Sequence, residues 1–395
     1  MHKSSRILSI DIMRGLTLFL MLFVNDLFVP GVPKWMVHTK ATEDGMGLAD
    51  WVFPGFLFMV GLSIPFAFMA RRKKGDSDTE LVKHIIIRTI SLLVIGVITV
   101  NIPELNAELT GMGKYLWACL AYFCILLIWN TYPVEKVGKL TVNMLKGIGW
   151  LGLFGLAIIY RSGTPDDPSF ISTRWWGILG LIGWGYFAAA TTYLLTKGKL
   201  WGVVGTWIFF IGLNMLSQMG LTDFTAPVAP ILGVLLDGNT PSIVLCGLVI
   251  GIILKEHRQE PEKLLKFLLP IGILVLLSGF VLRQWFIISK IMGTPSWAMV
   301  CNGISILLFA LMFYLIDRKG IRTWAQPFVP AGQNSLTTYL APDILYFIIW
   351  GFGFPILFYK QTEYPWLAVF GSLVWAFAMI GFAAFLSRIH IRLKL

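Results

Sequence analysis

The sequence predicts an all-α integral membrane protein: a polytopic helical bundle of about twelve transmembrane helices, within a range of ten to twelve, with both termini in the cytoplasm. Three observations lead to this class. Hydrophobic residues make up 56% of the 395-residue chain and charged residues only 13%, and the mean hydropathy is +0.75. Apolar runs of about 20 residues, long enough to cross a bilayer as helices, recur along the whole length. Lys and Arg concentrate in alternate loops, as cytoplasmic loops do.

The apolar runs place the helices in chain order. The polar stretches between them are too short for a soluble domain, so we expect a single transmembrane domain over residues 1–395. The first run has Asp11 and Arg14 near its start and no small-residue cleavage site after it, which favours a retained helix over a signal peptide. The predicted spans are 6–28, 49–70, 82–102, 113–131, 145–160, 176–196, 200–219, 240–255, 263–285, 297–316, 334–354 and 365–388.

The distribution of charge limits the classes of binding partner that we expect. The net charge is +11, but the positive residues alternate between loops, so the expected partner is the lipid bilayer and not a nucleic acid. The charge asymmetry fits a bacterial inner membrane. The four cysteines lie inside apolar runs and predict no disulfide framework. The five histidines are scattered along the chain, so no metal site is expected.

The first helical hairpin carries an unusual number of polar groups. Burying an ionisable side chain in hydrocarbon costs at least about 2.5 kcal/mol, so such residues commonly mark a functional site. Those around the first two spans therefore predict a site. They are Asp11, Arg14, Asn25, Asp26, His38 and Asp50.

Asp11 and Arg14 are three residues apart and share one face of the first helix near its cytoplasmic end. Two interpretations are open. The two side chains form a structural ion pair that fixes the helix end, or they position a polar group that enters from the cytoplasm.

Asn25, Asp26, His38 and Asp50 lie near the opposite end. Asn25 either forms an interhelical hydrogen bond or serves the site, and Asp26 is either a solvated helix end or a site carboxylate. His38 lies in a short, semi-apolar loop, and imidazole is the side chain best suited to move a proton near neutral pH. Asp50 opens the second helix, where it either caps the helix or orients the imidazole.

Several motifs can be compared with known families: SIDIMRGL and FVND in the first helix, a loop histidine, LADWVFPGFLFMVGLSI, RTISLLVIGVITVN at 88–101, NTPSIVLCGLVIG at 239–251 and PFVPAGQNSLTTYL at 327–340. Together they resemble the heparan-α-glucosaminide N-acetyltransferase family of transmembrane acyltransferases. By this resemblance, His38 matches the active-site histidine, Asn25 and Asp50 match the motif asparagine and aspartate, and Asn334 and Ser335 match the later Asn-Ser. Here Pro342-Asp343 replaces the His-Glu that follows this motif in the family.

The resemblance implies transfer of an acetyl group from cytosolic acetyl-CoA, as co-substrate, to an amino sugar or another glycan acceptor across the membrane. It also implies a homodimer. His38 would act as general base for the acceptor, or would itself carry the acetyl group. Asn25 would donate a hydrogen bond to the oxyanion, and Asp50 or Asp26 would orient His38. No cysteine is expected near this site.

The cofactor-binding residues are expected at the cytoplasmic face. Arg14, Arg88 and the basic loop 71–74 could meet the phosphates of acetyl-CoA, although the positive-inside rule alone also explains their charge. Asp11 shares the helix face of Arg14, and Asn334 and Ser335 join the set through the family motif.

The alternative function is a secondary transporter of a small polar or sugar-like solute. Transporters gather polar groups at the bilayer midplane on broken helices, often within repeats. Here the polar groups cluster at one end of a hairpin, with a histidine in a loop, and this placement favours the acyltransferase. A third interpretation is a lipid- or glycan-binding protein without turnover.

Overall fold

A computed structural model describes residues 7–395; the Arg6 end of the first predicted span therefore lies outside the described residues. The chain is helical at all twelve predicted spans. The long helices are α1 (Leu8–Asp26), α2 (Leu48–Lys73), α3 (Asp78–Asn101), α4 (Lys114–Trp129), α5 (Lys139–Ile159), α6 (Gly177–Leu195), α7 (Leu200–Gln218), α8 (Asn239–His257), α9 (Pro261–Leu282), α10 (Pro295–Met312), α11 (Ser335–Phe352) and α12 (Pro365–Arg388).

Shorter elements fill the connections. A π-helical segment, Phe313–Arg318, extends α10, and two strands, β1 (Ser162–Thr164) and β2 (Asp167–Ser169), form an antiparallel hairpin between α5 and α6. The short α-helices are Ala107–Thr110, Val134–Val137, Ala229–Asp237 and Val329–Gln333, and the 3₁₀ turns are Val29–Gly31, Lys34–Met36, Ile102–Glu104, Asp223–Thr225, Thr323–Phe328 and Pro355–Leu357.

The class is that of a polytopic all-α membrane protein. Within residues 7–395, ten helices are long and apolar enough to cross a membrane. The other two long helices are α4, a shorter apolar helix of 16 residues, and α11, which contains Pro342 followed by Asp343. The fifth predicted span began too late: α5 starts at Lys139 and not at 145. Its early turns carry Lys139 and Lys146, whose exposed stems can reach along the helix.

Glycines set the closest helix contacts. A Cβ atom at Gly61 of α2 would lie 1.8 Å from the carbonyl oxygen of Val244, and one at Gly247 of α8 would lie 1.9 Å from that of Phe58. Only hydrogen atoms fit in these gaps, so α2 and α8 approach through their backbones, as small residues allow in membrane bundles. In the most apolar stretch of α8, 83% of the residues are buried inside the bundle, whereas in that of α7 only 11% are buried. The bundle therefore has an inner layer that includes α2 and α8 and an outer layer that includes α7.

Helix α2 has chemically different residues at its two ends. It begins beside His38 and Asp50 and finishes at Arg71, Arg72 and Lys73. We call these the His38 end and the basic end. Because α2 is a continuous helix of 26 residues, it separates the two ends by most of the thickness of a bilayer.

Candidate active site

The loop that follows α1 folds back onto the start of α2. Two 3₁₀ turns, Val29–Gly31 and Lys34–Met36, shorten its path. Its return is close, because a Cβ atom at Gly47 would lie 2.0 Å from the carbonyl oxygen of Val37. Glycine is therefore required at position 47, and the close approach places His38 beside the first turn of α2.

His38 contacts the carboxylate of Asp50, and the two atoms His38 Nδ1 and Asp50 Oδ1 are 2.7 Å apart. Asp50 is fully buried. Its second oxygen, Oδ2, accepts backbone hydrogen bonds from Gly47 at 2.9 Å and Thr39 at 3.1 Å. The carboxylate is thus fixed on both sides. A neutral imidazole that donates from Nδ1 to Asp50 keeps its lone pair on Nε2, which is the arrangement of a general base.

A lysine from a distant part of the chain completes this cluster. Lys290 lies in the loop between α9 and α10, and its Nζ atom is 3.2 Å from both ring nitrogens of His38. Burial lowers the pKa of Lys290 below its ordinary value, while the Asp50 carboxylate acts in the opposite direction. This contact was not predicted from the sequence, where Lys290 is one of several positive residues in loops.

The loop that carries Lys290 is fastened to the loop that carries His38. Asp44 accepts hydrogen bonds from Arg283 Nε and from the backbone of Ile288, both at 2.8 Å. Ser289 Oγ donates to the carbonyl of Ala41 at 2.8 Å. These bonds hold the two loops together, so the His38–Lys290 contact is part of the folded framework.

The cluster faces a cavity of about 680 Å³, within the range of small-molecule sites. His38 and Lys290 supply its polar wall at one side. Its other lining residues are largely apolar and aromatic, with a few polar groups from the loop before α6, from the end of the short helix Ala229–Asp237 and from the start of α8. They include Phe53, Leu57, Arg174, Trp175, Trp176, Asp237, Asn239, Thr240, Gly293 and Trp297.

The structure separates the four predicted catalytic residues. His38 and Asp50 are brought together. Asp26 is also buried, but it accepts hydrogen bonds from the hydroxyls of Tyr346 and Tyr359, the latter at 2.9 Å, and pairs with Lys360 Nζ at 2.8 Å. Asn25 is exposed at the end of α1 and is not among the residues that line the cavity. Of the two candidate carboxylates, Asp50 is therefore the one that contacts His38.

One sequence-based expectation about cysteine is wrong. Cys301 on α10 is fully buried beneath the site, and its Sγ atom lies 3.9 Å from the carbonyl oxygen of Asp50. Trp297, one turn earlier, donates to the same carbonyl at 3.1 Å. The cysteine comes near because α10 packs against α2, a contact between residues 251 positions apart. It lies behind the backbone of Asp50 and does not line the cavity.

Four of the predicted cofactor-binding residues lie where α1 meets the short helix Val329–Gln333 and the start of α11. They are Asp11, Arg14, Asn334 and Ser335. Arg14 donates to the carbonyl of Gly332 at 3.2 Å and to the hydroxyl of Ser63. Ser335 donates to the same carbonyl at 3.1 Å, and Asn334 donates to that of Pro330 at 3.3 Å. The backbones touch here, because a Cβ atom at Gly332 would lie 2.0 Å from the carbonyl oxygen of Asp11.

Arg88 lies over the ring of Tyr186, with its guanidinium carbon 4.8 Å from the ring centre. Arg88 and Ser335 both line a small cavity of about 70 Å³ beside Phe56 and Val60 of α2. A third cavity, of about 590 Å³, lies at the basic end. We call it the basic cavity; it is lined by Phe68, Met69, Arg72, Lys73, Asp78, Tyr193, Leu194, Lys197 and Lys255. Helix α2 therefore borders a cavity at each end and a smaller one between them.

Comparison with known proteins places this architecture in a family. The model described as "Domain of unknown function (DUF5009)" matches residues 6–225, more than half of the chain. This chain belongs to the DUF5009 family. The model described as "Protein of unknown function (DUF418)" matches residues 250–391. Neither description names an activity.

Two curated relatives support the resemblance noted from the motifs. The heparan-alpha-glucosaminide N-acetyltransferase of Mus musculus is 25% identical over 379 residues, which cover 87% of this chain and 54% of the mouse protein. That of Homo sapiens is 25% identical over 377 residues, with 86% and 53% covered. The chain thus spans about half the length of these relatives. The predicted kinship with this group is confirmed as a distant similarity.

Proposed function

We propose that this protein is a membrane acetyltransferase that uses acetyl-CoA from the cytoplasm and an amino sugar or other glycan acceptor from the opposite side. One observation carries the proposal: His38, held by the buried carboxylate of Asp50 at 2.7 Å, opens into a cavity large enough for an acceptor. The relatives named as N-acetyltransferases support the acyl chemistry. In this proposal the His38 end faces away from the cytoplasm and the membrane is a bacterial inner membrane.

The chemistry follows from the cluster. The acceptor's nucleophilic atom attacks the thioester carbonyl, a proton passes to His38 Nε2, the carbon–sulfur bond breaks, and His38 returns that proton to the departing thiolate. In the alternative route His38 first accepts the acetyl group and then transfers it. Asp50 orients the ring in both routes and stabilises the positive charge of the imidazolium, which is protonated in the first route and acetylated, after loss of the CoA thiolate, in the second.

The oxyanion needs a donor inside the cavity. The sequence assigned this task to Asn25, but Asn25 is exposed and does not line the cavity. Lys290 lines it and lies 3.2 Å from His38 Nε2. Lys290 is therefore our candidate for stabilising the negative charge that develops on the thioester oxygen.

The donor's nucleotide fits the basic end. Arg72, Lys73, Lys197 and Lys255 line the basic cavity, and such side chains bind phosphates. From Arg72 to Phe53 the α2 axis rises about 29 Å. Acetyl-CoA must therefore thread its pantetheine arm past the small cavity at Arg88 and Ser335, or the acetyl group must cross on a covalent carrier. Arg14, Asp11 and Asn334 would shape the entrance to this path. A homodimer remains part of the proposal.

The test uses purified protein in detergent with radiolabelled acetyl-CoA and glucosamine. We expect label transfer and CoA release by the wild type and loss of both in His38→Ala. The matched control is His257→Ala, at the far end of α8, which should keep the wild-type rate. Turnover that survives in His38→Ala would reject the role of His38. Absence of CoA binding and of turnover in the wild type would reject the transferase and favour the transporter.

A further inference from the structure

The His38 cavity contains a second carboxylate that the chemistry above does not use. Asp237 ends the short helix Ala229–Asp237 and lines the cavity with His38 and Lys290. Gly238 follows with φ +76° and turns the chain sharply into α8. Glycine suits this position because an L-residue with a side chain rarely adopts a positive φ, and the turn places Asp237 directly before α8.

Asp237 differs from three other carboxylates at this end. Asp50 pairs with His38, Asp44 with Arg283 and Asp26 with Lys360. Asp237 has no cation within ion-pair distance among residues 7–395. Asp237 is half-buried in the cavity wall, and an anion partly withdrawn from water without a cation is costly to maintain, so this carboxylate requires a separate explanation.

The hydrogen bonds that Asp237 accepts are long and come from neutral donors. Its carboxylate receives Asn214 Nδ2 at 3.4 Å, Ser217 Oγ at 3.3 Å and the backbone of Asn239 at 3.3 Å. Burial raises the pKa of Asp237 to about 6. A carboxylate has about four acceptor positions, so the side chain retains capacity for a donor that arrives from the cavity.

The surrounding framework is held by other groups. Asn239 Nδ2 donates to the carbonyl of Gly293 at 2.7 Å, and Asn214 Nδ2 donates to the same carbonyl at 3.1 Å. Gln218 Nε2 donates to the carbonyl of Met292 at 2.8 Å. These shorter bonds connect α7 and α8 to the loop that carries Lys290, and none of them uses the Asp237 carboxylate. Its presence in the wall is therefore not needed to fasten that loop.

Acetylation of a protonated amine requires two proton acceptors, and His38 supplies only one. A sugar amine is largely an ammonium ion near neutral pH, because alkyl amines of this kind titrate near or above pH 7. To become an amide its nitrogen must lose two protons, whichever route delivers the acetyl group. His38 takes one proton and returns it to the CoA thiolate. The other proton needs a second acceptor, and acetylation of a hydroxyl would not.

We propose that Asp237 binds the ammonium group of the acceptor and removes its first proton, which makes the His38 cavity selective for primary amines. This assignment rests on the proposed function. In sequence, the ammonium pairs with the Asp237 carboxylate and gives it one proton. The neutral amine then attacks the acetyl carbonyl; the C–N bond forms and the C–S bond breaks. His38 moves the second proton to the thiolate, and Asp237 releases the first to water.

The test compares two acceptors in Asp237→Asn. Glucosamine requires the first deprotonation, whereas hydroxylamine is largely neutral at pH 7 and does not. We expect kcat/KM for glucosamine to fall about 100-fold at pH 7, with hydroxylamine transfer kept within a few-fold and the glucosamine loss shrinking at pH 9, where the sugar amine is neutral. Asp223→Asn, an exposed aspartate just before the same short helix, is the matched control.

Equal losses for both acceptors at every pH would show that Asp237 is structural and would overturn the proposal. Unchanged glucosamine transfer would also overturn it. If Asp237→Asn does not fold, Asp237→Glu provides the second test. Its loss of hydroxylamine transfer measures the packing defect alone. Because the carboxylate is retained, we expect the loss of glucosamine transfer to be no larger than that, and a larger loss would overturn the proposal. A wild type that transfers acetyl to hydroxylamine but not to glucosamine overturns the amine assignment alone, whereas no transfer to either acceptor overturns the proposed function.

Discussion

The two ends of α2 both collect charged residues, but they hold them in different ways. At the His38 end, Asp50 is fully buried and receives bonds at 2.7 to 3.1 Å from His38, Gly47 and Thr39. At the basic end, Arg72 and its neighbours line an open cavity with exposed side chains. Fixed geometry suits a chemical step, whereas exposed cations suit electrostatic attraction of phosphates. Within the proposed function, this difference supports catalysis at the His38 end and donor binding at the basic end.

The largest effect is expected from a substitution at the His38 end. Asp50→Asn keeps the size of the side chain but removes the charge that fixes the Nδ1 tautomer of His38. We expect kcat to fall about 1,000- to 10,000-fold, with acetyl-CoA binding unchanged. Steady-state kinetics and CoA binding by calorimetry measure the two quantities. A comparable loss of CoA affinity would contradict the division of labour between the two ends.

The next effect concerns the charge beside the imidazole. Lys290→Met keeps the length of the side chain and removes the ammonium group, so the oxyanion loses its proposed partner. We expect kcat to fall about 100- to 1,000-fold with little change in KM for acetyl-CoA. Lys40→Met, an exposed lysine of the His38 loop, is the control. If kcat for Lys290→Met stays within a few-fold of wild type, Lys290 does not stabilise the oxyanion. Another donor must then do so, and Asn25 is the first to test.

The smallest effect is expected at the basic end. Arg72→Gln combined with Lys73→Gln removes two cations from an exposed cavity, where each contact is screened by salt. We expect KM for acetyl-CoA to rise about 10-fold at low salt, with kcat nearly unchanged and the difference fading at high salt. Lys74→Gln, the next residue and not part of the lining, is the control. If KM for acetyl-CoA changes neither with the substitutions nor with salt, these cations do not bind the donor and serve only to orient the protein in the membrane.

The sequence predicted most of the helical architecture. Apolar runs report helix positions directly, since each span must satisfy its own backbone hydrogen bonds in lipid. All twelve predicted positions are helical, and the main error is the start of α5, which lies at Lys139 and not at 145 because the charge of Lys139 counted against a membrane span. His38 and Asp50 were also found from local sequence, because the loop between them is short and the family motif covers both.

What the sequence did not decide was contact between distant segments. It left Asp26 and Asp50 as equal partners for His38, and tertiary packing separates them: Asp26 meets α11 and the loop after it, whereas Asp50 meets His38. It gave no sign that Lys290, 252 residues from His38, joins the same cluster, or that Asp237 lines the same cavity. The physical reason is that hydropathy and charge are properties of single segments. The approach of two helices is instead set by side-chain volume at their contact, as where Gly61 and Gly247 let α2 and α8 touch.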